Sequence, residues 1–204
     1  MCWCGRLCQR ASNARITIRY GPRALVIRHS RHSSTSYISM LNLSTVVTST
    51  ATMASKRLIK ELEQYAKSSS PAVSRLEPVG DDLTQLTADL LGPGGTPYSG
   101  GLWNLTIAVP PTYPNTPPSI QFRTPICHAN VSFTTGEICL DLLKTTWTPA
   151  YGIVSTMEAI QQLLTEGGEP DSPLNIDLAV LLREGDRVAA DGLVRFYTGI
   201  YAMR

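Results

Sequence analysis

Apolar residues recur at helical spacing just after residue 53 and then give way to short strand-like segments. Four of them fall on one face of a predicted helix: Leu58, Leu62, Tyr65 and Ala66. Three serines and a proline at 68–71 end that helix. Four apolar segments follow, at 73–76, 85–91, 102–109 and 119–122. Their turn-rich connections predict four strands in an antiparallel meander.

Helical spacing returns after Trp147. Ser155 and Glu158 form the pattern of a capping box at the start of a first helix. Asp177 is placed to cap a second, shorter helix, and Asp186 is placed to cap a third. Strands and helices are therefore segregated, which predicts an α+β domain with an N-terminal helix, a four-stranded antiparallel meander, a long irregular stretch and C-terminal helices.

Charge divides the chain in two. Residues 1–52 contain seven arginines and no acidic residue, whereas residues 53–204 carry the other 11 basic residues and all 16 acidic ones. A net negative domain disfavours nucleic-acid binding by the main body. We expect residues 1–52 to be a basic, Ser/Thr-rich leader that is disordered or non-native, with Met53 as a natural start and 53–204 as the domain. A mitochondrial address is the alternative for the leader.

The cysteines do not form a disulfide framework, because they are five in number and irregularly spaced. We therefore expect a reducing compartment. Three of them crowd the N-terminus without a second Cys/His cluster to complete a tetrahedral set, so we expect no metal site. The sequence contains no run of 18 or more apolar residues, so it predicts no membrane-spanning helix.

Candidate chemistry lies in the irregular stretch between the sheet and the last helices. Cys139 is the candidate nucleophile there, since thiolate chemistry needs a reachable sulfur; the alternative is a buried, inert cysteine. His128 and Asn130 suggest a Cys–His–Asn protease, but they sit beside each other and close to Cys139. Protease partners normally come from distant parts of the chain. An asparagine alone could supply an amide N–H to an oxyanion.

Four motifs in one order resemble those of ubiquitin-conjugating enzymes. They are Tyr113-Pro114-Asn115-Thr116-Pro117-Pro118, His128-Ala129-Asn130, Gly136-Glu137-Ile138-Cys139-Leu140-Asp141 and Trp147-Thr148-Pro149-Ala150. The resemblance covers about residues 54–204. Three features depart from the common pattern. Ala129 replaces the usual proline, the interval from Asn130 to Cys139 is one residue longer, and Arg75 occupies a place on the back of the sheet where many relatives carry a small residue.

The resemblance implies acyl transfer through a thioester. Cys139 would accept the ubiquitin C-terminus from the activating enzyme, and Asn130 would stabilise the oxyanion or hold the active-site loop. His128 would be structural, and Ser172 matches the gate position where many relatives carry Asp. No cofactor is implied, because ATP is consumed by the activating enzyme.

The resemblance also implies partner surfaces. Three basic residues on the first helix match the face that the activating enzyme and ligases contact: Lys56, Arg57 and Lys60. Four others match the two loops that dock RING ligases: Pro114, Asn115, Trp147 and Pro149. Solvated charge on the helix and a core position for Trp147 are the alternatives.

Within the family, the stretches 172–177 and 182–186 are similar to the peroxisomal (peroxin) branch of fungi. This similarity implies a membrane-anchored partner, action at the cytosolic face of the peroxisomal membrane, and a matrix-import receptor as substrate. A general cytosolic or nuclear conjugating enzyme is the first alternative. A non-catalytic scaffold is another, and the intact Cys139 argues against it.

Overall fold

The computed structural model describes residues 53–203 and, before them, only the backbone of two short strands. These strands, β1 (Thr17–Ile18) and β2 (Leu25–Val26), pair antiparallel with each other. They belong to a unit comprising Met1–Leu41, separate from the unit Asn42–Arg204. The predictions made for the leader lie otherwise outside the described residues.

The first helix of the domain, α1, spans Met53–Lys67. Its buried side is formed by Ala54, Leu58, Leu62 and Tyr65. The helical spacing of these residues was the predicted one, except that Ala66 is exposed and Ala54 is buried instead. The Tyr65 hydroxyl donates to the Val73 carbonyl at 3.0 Å, which ties the end of α1 to the first strand of the sheet.

The predicted four-stranded antiparallel meander is confirmed. Its strands are β3 (Val73–Val79), β4 (Asp82–Leu91), β5 (Leu102–Ala108) and β6 (Ser119–Phe122), in the order β3-β4-β5-β6. The β3–β4 hairpin is longer than predicted. It turns at Gly80, whose φ of 64° lies in the left-handed region that glycine adopts most readily.

Three helices follow a short 3-10 helix at Asp141–Leu143: α2 (Ile153–Glu166), α3 (Ile176–Arg183) and α4 (Arg187–Tyr201). Asp186 caps α4, as predicted, by accepting from the Ala189 amide at 2.9 Å. The other two cap predictions were wrong. Gly152 is the N-cap of α2, with Ser155 reaching back to its amide, and Asn175 caps α3 because Asp177 already lies inside the first turn.

The core lies between one face of the sheet and the first two domain helices, since α1 and α2 contact each other and both contact β3 and β4. Alternate residues of β5 point into it, among them Trp103, Leu105 and Ile107. From α2, Met157 and Ile160 are also fully buried. Within residues 53–203, none of the helices has the length and apolar character needed to cross a bilayer.

Candidate functional site

The candidate nucleophile lies on a hairpin that follows β6 and comprises residues 130–139. Val131 and Ile138 form an antiparallel bridge, and the Cys139 amide donates to the Asn130 carbonyl at 2.8 Å. The hairpin also joins the sheet, because the Phe122 amide at the end of β6 donates to the Gly136 carbonyl at 2.9 Å. The longer interval between Asn130 and Cys139 is therefore accommodated within the hairpin, and the two residues lie opposite each other.

Cys139 is half-buried and is not in a disulfide. The 3-10 helix Asp141–Leu143 reverses the chain just after it, so that Lys144 lies back against the thiol. The distance from Lys144 Nζ to Cys139 Sγ is 3.7 Å. Cys139 is thus partly accessible to solvent and has a cationic neighbour.

Cys127, the other cysteine of the domain, has a different environment. It is 3% exposed, and burial raises the pKa of its thiol to about 11. Because nucleophilic attack requires the thiolate, this cysteine is unsuited to it at neutral pH. Between the two cysteines of residues 53–203, Cys139 is the one placed for chemistry.

His128 is fully buried, and burial lowers the pKa of its imidazole to about 4. Its Nε2 lies 3.2 Å from the Leu163 carbonyl, and its Nδ1 accepts from the Asn130 amide at 3.1 Å. A carbonyl can only accept, so the proton is on Nε2 and the ring is neutral. Both nitrogens are used by the backbone, which supports the predicted structural role.

The Asn130 amide group holds the segment that precedes α3. Its Nδ2 donates to the carbonyls of Glu169 and Ser172, at 2.8 and 3.0 Å, and its Oδ1 accepts from the Glu169 amide at 2.6 Å. Both donor hydrogens of this buried side chain are therefore occupied. Ser172 meets Asn130 through its backbone carbonyl, while the residue itself is exposed.

Sequence reasoning missed Gly168, which the same segment requires. Its φ is +83°, and a Cβ at this position would lie 2.6 Å from Asn130 Oδ1 and 2.7 Å from His128 Cε1. A side chain would collide with both motif residues, so only glycine fits. The Gly167-Gly168 pair after the apolar pattern of α2 was a signal for a helix end, but not for this close approach.

Of the three basic residues predicted to meet partners, Lys56 and Lys60 are exposed on α1. Arg57 is not available in the same way. Its guanidinium pairs with Glu61 one turn later and donates to the Tyr151 carbonyl at 3.1 Å. Arg57 thus joins α1 to the loop before α2.

The two loops predicted to dock RING ligases contact each other. The Trp147 indole donates to the Pro114 carbonyl at 2.8 Å, and its ring lies 6.2 Å from that of Tyr113. Trp147 is half-buried, so it is neither a core residue nor fully exposed, while Asn115 and Pro149 are exposed beside it. The structure therefore brings all four predicted loop residues to one surface.

Glu61 is the second residue that sequence reasoning missed. One carboxylate oxygen accepts from the Tyr113 hydroxyl at 2.7 Å, and the other accepts from the Ile153 amide at 2.7 Å. Burial and the neighbouring carboxylate raise the pKa of Tyr113 far above its ordinary value, so its hydroxyl remains a donor. Glu61 thereby connects α1, the Tyr113 loop and the start of α2.

No metal-ligand cluster is present among the described residues, since no three His, Cys, Asp or Glu side chains of 53–203 converge. The chemistry that this arrangement offers is that of an accessible thiol beside an ammonium group. The backbone that carries this thiol is hydrogen-bonded to the facing strand of the hairpin at Asn130.

The chain matches one protein family and several known proteins. The sequence profile described as "Ubiquitin-conjugating enzyme" matches residues 57–197. The chain is 46% identical over 148 residues to Ubiquitin-conjugating enzyme E2 PEX4 of Gibberella zeae, covering 71% of this chain and 86% of that protein. It is 42% identical over 149 residues to Protein PEROXIN-4 of Arabidopsis thaliana, covering 72% and 94%.

A solved structure is also similar. It is the H. polymorpha ubiquitin conjugating enzyme Pex4p in complex with the soluble domain of Pex22p. The TM-score is 0.69 at 35% identity, and the match covers 74% of this chain and all of that one.

Proposed function

The chain belongs to the ubiquitin-conjugating enzyme family and is thus a ubiquitin transferase, and from this premise we propose that Cys139 is the residue that carries ubiquitin. Its Sγ attacks the thioester carbonyl of ubiquitin held on the activating enzyme, and the activating enzyme's thiolate leaves. An acceptor nucleophile then attacks the new thioester, forms its own bond to ubiquitin, and releases the Cys139 thiolate. The observation that carries the proposal is that Cys139 is half-buried on the hairpin, whereas Cys127 is buried.

Charging with ubiquitin tests this assignment. With activating enzyme, ATP and ubiquitin, the protein should form a covalent adduct with one ubiquitin. On a gel this adduct should give a shifted band that disappears when a thiol is added. Cys139→Ser should give a thiol-resistant oxyester, and Cys139→Ala should give no adduct. Cys127→Ser is the matched control and should charge normally. Thioester formation by the Cys139→Ala protein would transfer the role to another cysteine.

We propose that Asn130 acts mainly by holding the loop at 169–172. The support is that both of its amide hydrogens are already bound to backbone carbonyls. Asn130→Ala should then slow charging and discharge alike and lower stability. An oxyanion donor would instead leave charging intact and slow discharge by roughly 10²–10³. Ser172 as a gate stays a prediction, supported by its exposure beside this loop.

The reaction needs no cofactor on this chain in our proposal, because the activating enzyme consumes the ATP. The exposed lysines of α1 support binding of the activating enzyme and of ligases. The joined Pro114 and Trp147 loops support docking of RING ligases. A RING domain added to charged protein should accelerate discharge to free lysine. Asn115→Ala, on the exposed surface, should reduce that acceleration while leaving charging unchanged.

We further propose a peroxisomal role, with a matrix-import receptor as substrate and a membrane-anchored partner at the cytosolic face. The support is the names of the relatives PEX4 and PEROXIN-4 and the Pex4p complex with Pex22p. The chain should restore import of matrix proteins in a fungal strain that lacks its own PEX4, and Cys139→Ala should not. Normal charging without any rescue would favour a general cytosolic or nuclear enzyme.

A further inference from the structure

The hairpin that leads to Cys139 has a second attachment, to α4. The half-buried ring of Phe133 lies edge-on to two tyrosines of α4, with ring centroids 5.1 Å from Tyr197 and 5.8 Å from Tyr201. The two tyrosine rings are stacked at 6.0 Å with 9° between their planes. Edge-to-face contacts of this kind are favourable and directional.

The contact is close to the reacting sulfur through the hairpin's own hydrogen bonds. The Ser132 amide, next to Phe133, donates to the Glu137 carbonyl at 2.9 Å. Two residues after Glu137, the Cys139 amide donates to the Asn130 carbonyl at 2.8 Å. Because of these hydrogen bonds, moving the hairpin at Phe133 would also move the residues that are bonded to the Cys139 backbone.

The space between the hairpin and α3/α4 is incompletely filled. A cavity of about 200 Å³ lies there, lined by Cys127, Asn175 and Leu193 as well as by Phe133 and Tyr197. On this side of the hairpin, the rings of Phe133, Tyr197 and Tyr201 connect it to α4.

We propose that Phe133 is a positioning residue for Cys139, because its ring packs on Tyr197 and Tyr201 and fixes the hairpin that presents the thiol. The proposal rests on the function proposed above. It adds that a contact between α4 and the active-site hairpin supports catalysis. The residue that makes this contact, Phe133, lies within the lengthened interval between Asn130 and Cys139. Phe133 does not touch the reacting atoms, so it acts through the placement of Cys139.

The test uses the full chain and three substitutions. Phe133→Ala removes the ring, and Phe133→Tyr retains it. Phe196→Ala is the matched control, since Phe196 also packs on Tyr197, at 5.5 Å, but lies on α4 rather than on the hairpin. Each protein is measured for single-turnover discharge of its ubiquitin thioester to free lysine, for hydrogen exchange at the Cys139 amide, and for Tm.

We expect Phe133→Ala to exchange the Cys139 amide faster and to discharge roughly threefold to tenfold more slowly, at a temperature where it is fully folded. The activating-enzyme concentration for half-maximal charging should not change. Phe133→Tyr and Phe196→Ala should both behave like the unsubstituted protein. If Phe133→Ala fails to fold, Phe133→Leu takes its place, with the same expected direction.

Unchanged exchange or unchanged discharge in the Phe133 variant would overturn the proposal, as would an equal loss in Phe196→Ala. Hydrogen exchange needs no ubiquitin. A protein that never forms a thioester would thus refute the proposed function, while the exchange measurement would still decide the role of Phe133.

Discussion

Glu61 holds three segments together, so replacing it with alanine should destabilise the whole domain. Its side chain is only 12% exposed, and its two oxygens accept from the Tyr113 hydroxyl and the Ile153 amide. Glu61→Ala leaves both of these donors without their partner. One belongs to a buried tyrosine and the other to the first turn of α2.

The expected cost follows from the two hydrogen bonds. A hydrogen bond to a charged group contributes about 1.5–3 kcal/mol, so losing both should lower the free energy of unfolding by roughly 3–6 kcal/mol. The ion pair with Arg57 adds little, because the Arg57 side chain is 35% exposed and such pairs contribute at most about 1 kcal/mol. A loss of this size is a large share of a typical domain's stability.

Urea unfolding followed by circular dichroism measures the change. Tyr113→Phe removes one of the two hydrogen bonds and should cost about half as much. Glu61→Gln retains an acceptor for one donor but turns an amide group toward the other. Its loss of free energy of unfolding should therefore lie between those of Tyr113→Phe and Glu61→Ala. A Glu61→Ala protein within about 1 kcal/mol of the original would refute this account of the junction.

Three further predictions concern the site. Burial lowers the pKa of His128 to about 4 in the folded protein, against an ordinary value of 6.5, so the unfolded chain binds the proton first as the pH falls. The free energy of unfolding should therefore fall by up to roughly 3 kcal/mol from pH 6.5 to pH 4. This pH dependence should vanish in His128→Gln. Self-ubiquitination should occur mainly at Lys144, whose Nζ is 3.7 Å from Cys139 Sγ, and should drop in Lys144→Arg as read by mass spectrometry. Iodoacetamide at neutral pH should alkylate Cys139 well before Cys127, because burial raises the pKa of the Cys127 thiol.

Each of these has an outcome that contradicts it. If the free energy of unfolding depended on pH equally in the His128→Gln and original proteins, the pKa of His128 would be the same in the folded and unfolded states. Adducts found on the α1 lysines rather than on Lys144 would mean that those amines reach the thioester more readily. Peptide mapping that finds Cys127 modified first would contradict its burial.

Local patterns predicted most of the secondary structure. The spacing of Leu58 and Leu62 predicted α1, and the bounds of β6 were those that the apolar segment 119–122 gave. The Asp186 cap was also predictable, because a cap is a contact between neighbours three residues apart. The ends of β3 and β4 were not, since Pro78 and Asp82 weaken the local pattern while pairing across the hairpin retains them in strands.

The candidate site was predictable only as far as its motifs. Cys139 and Asn130 were identified from the sequence, but the bonds from Asn130 to Glu169 and Ser172 span about forty residues and leave no periodic pattern. Gly168 and Glu61 were missed for the same reason. Their roles arise from close approach and from hydrogen bonds between segments that are distant along the chain.

The bond between the Trp147 indole and the Pro114 carbonyl has a consequence for the kinetics of partner exchange. Two loops that are already joined lose little conformational entropy when a partner binds them. Binding to such a surface requires no prior folding step, so we expect association rates governed by collision and orientation. For the ligase docking proposed above, a small interface on these loops would then need little ordering on binding, and a partner could exchange without any refolding of the surface.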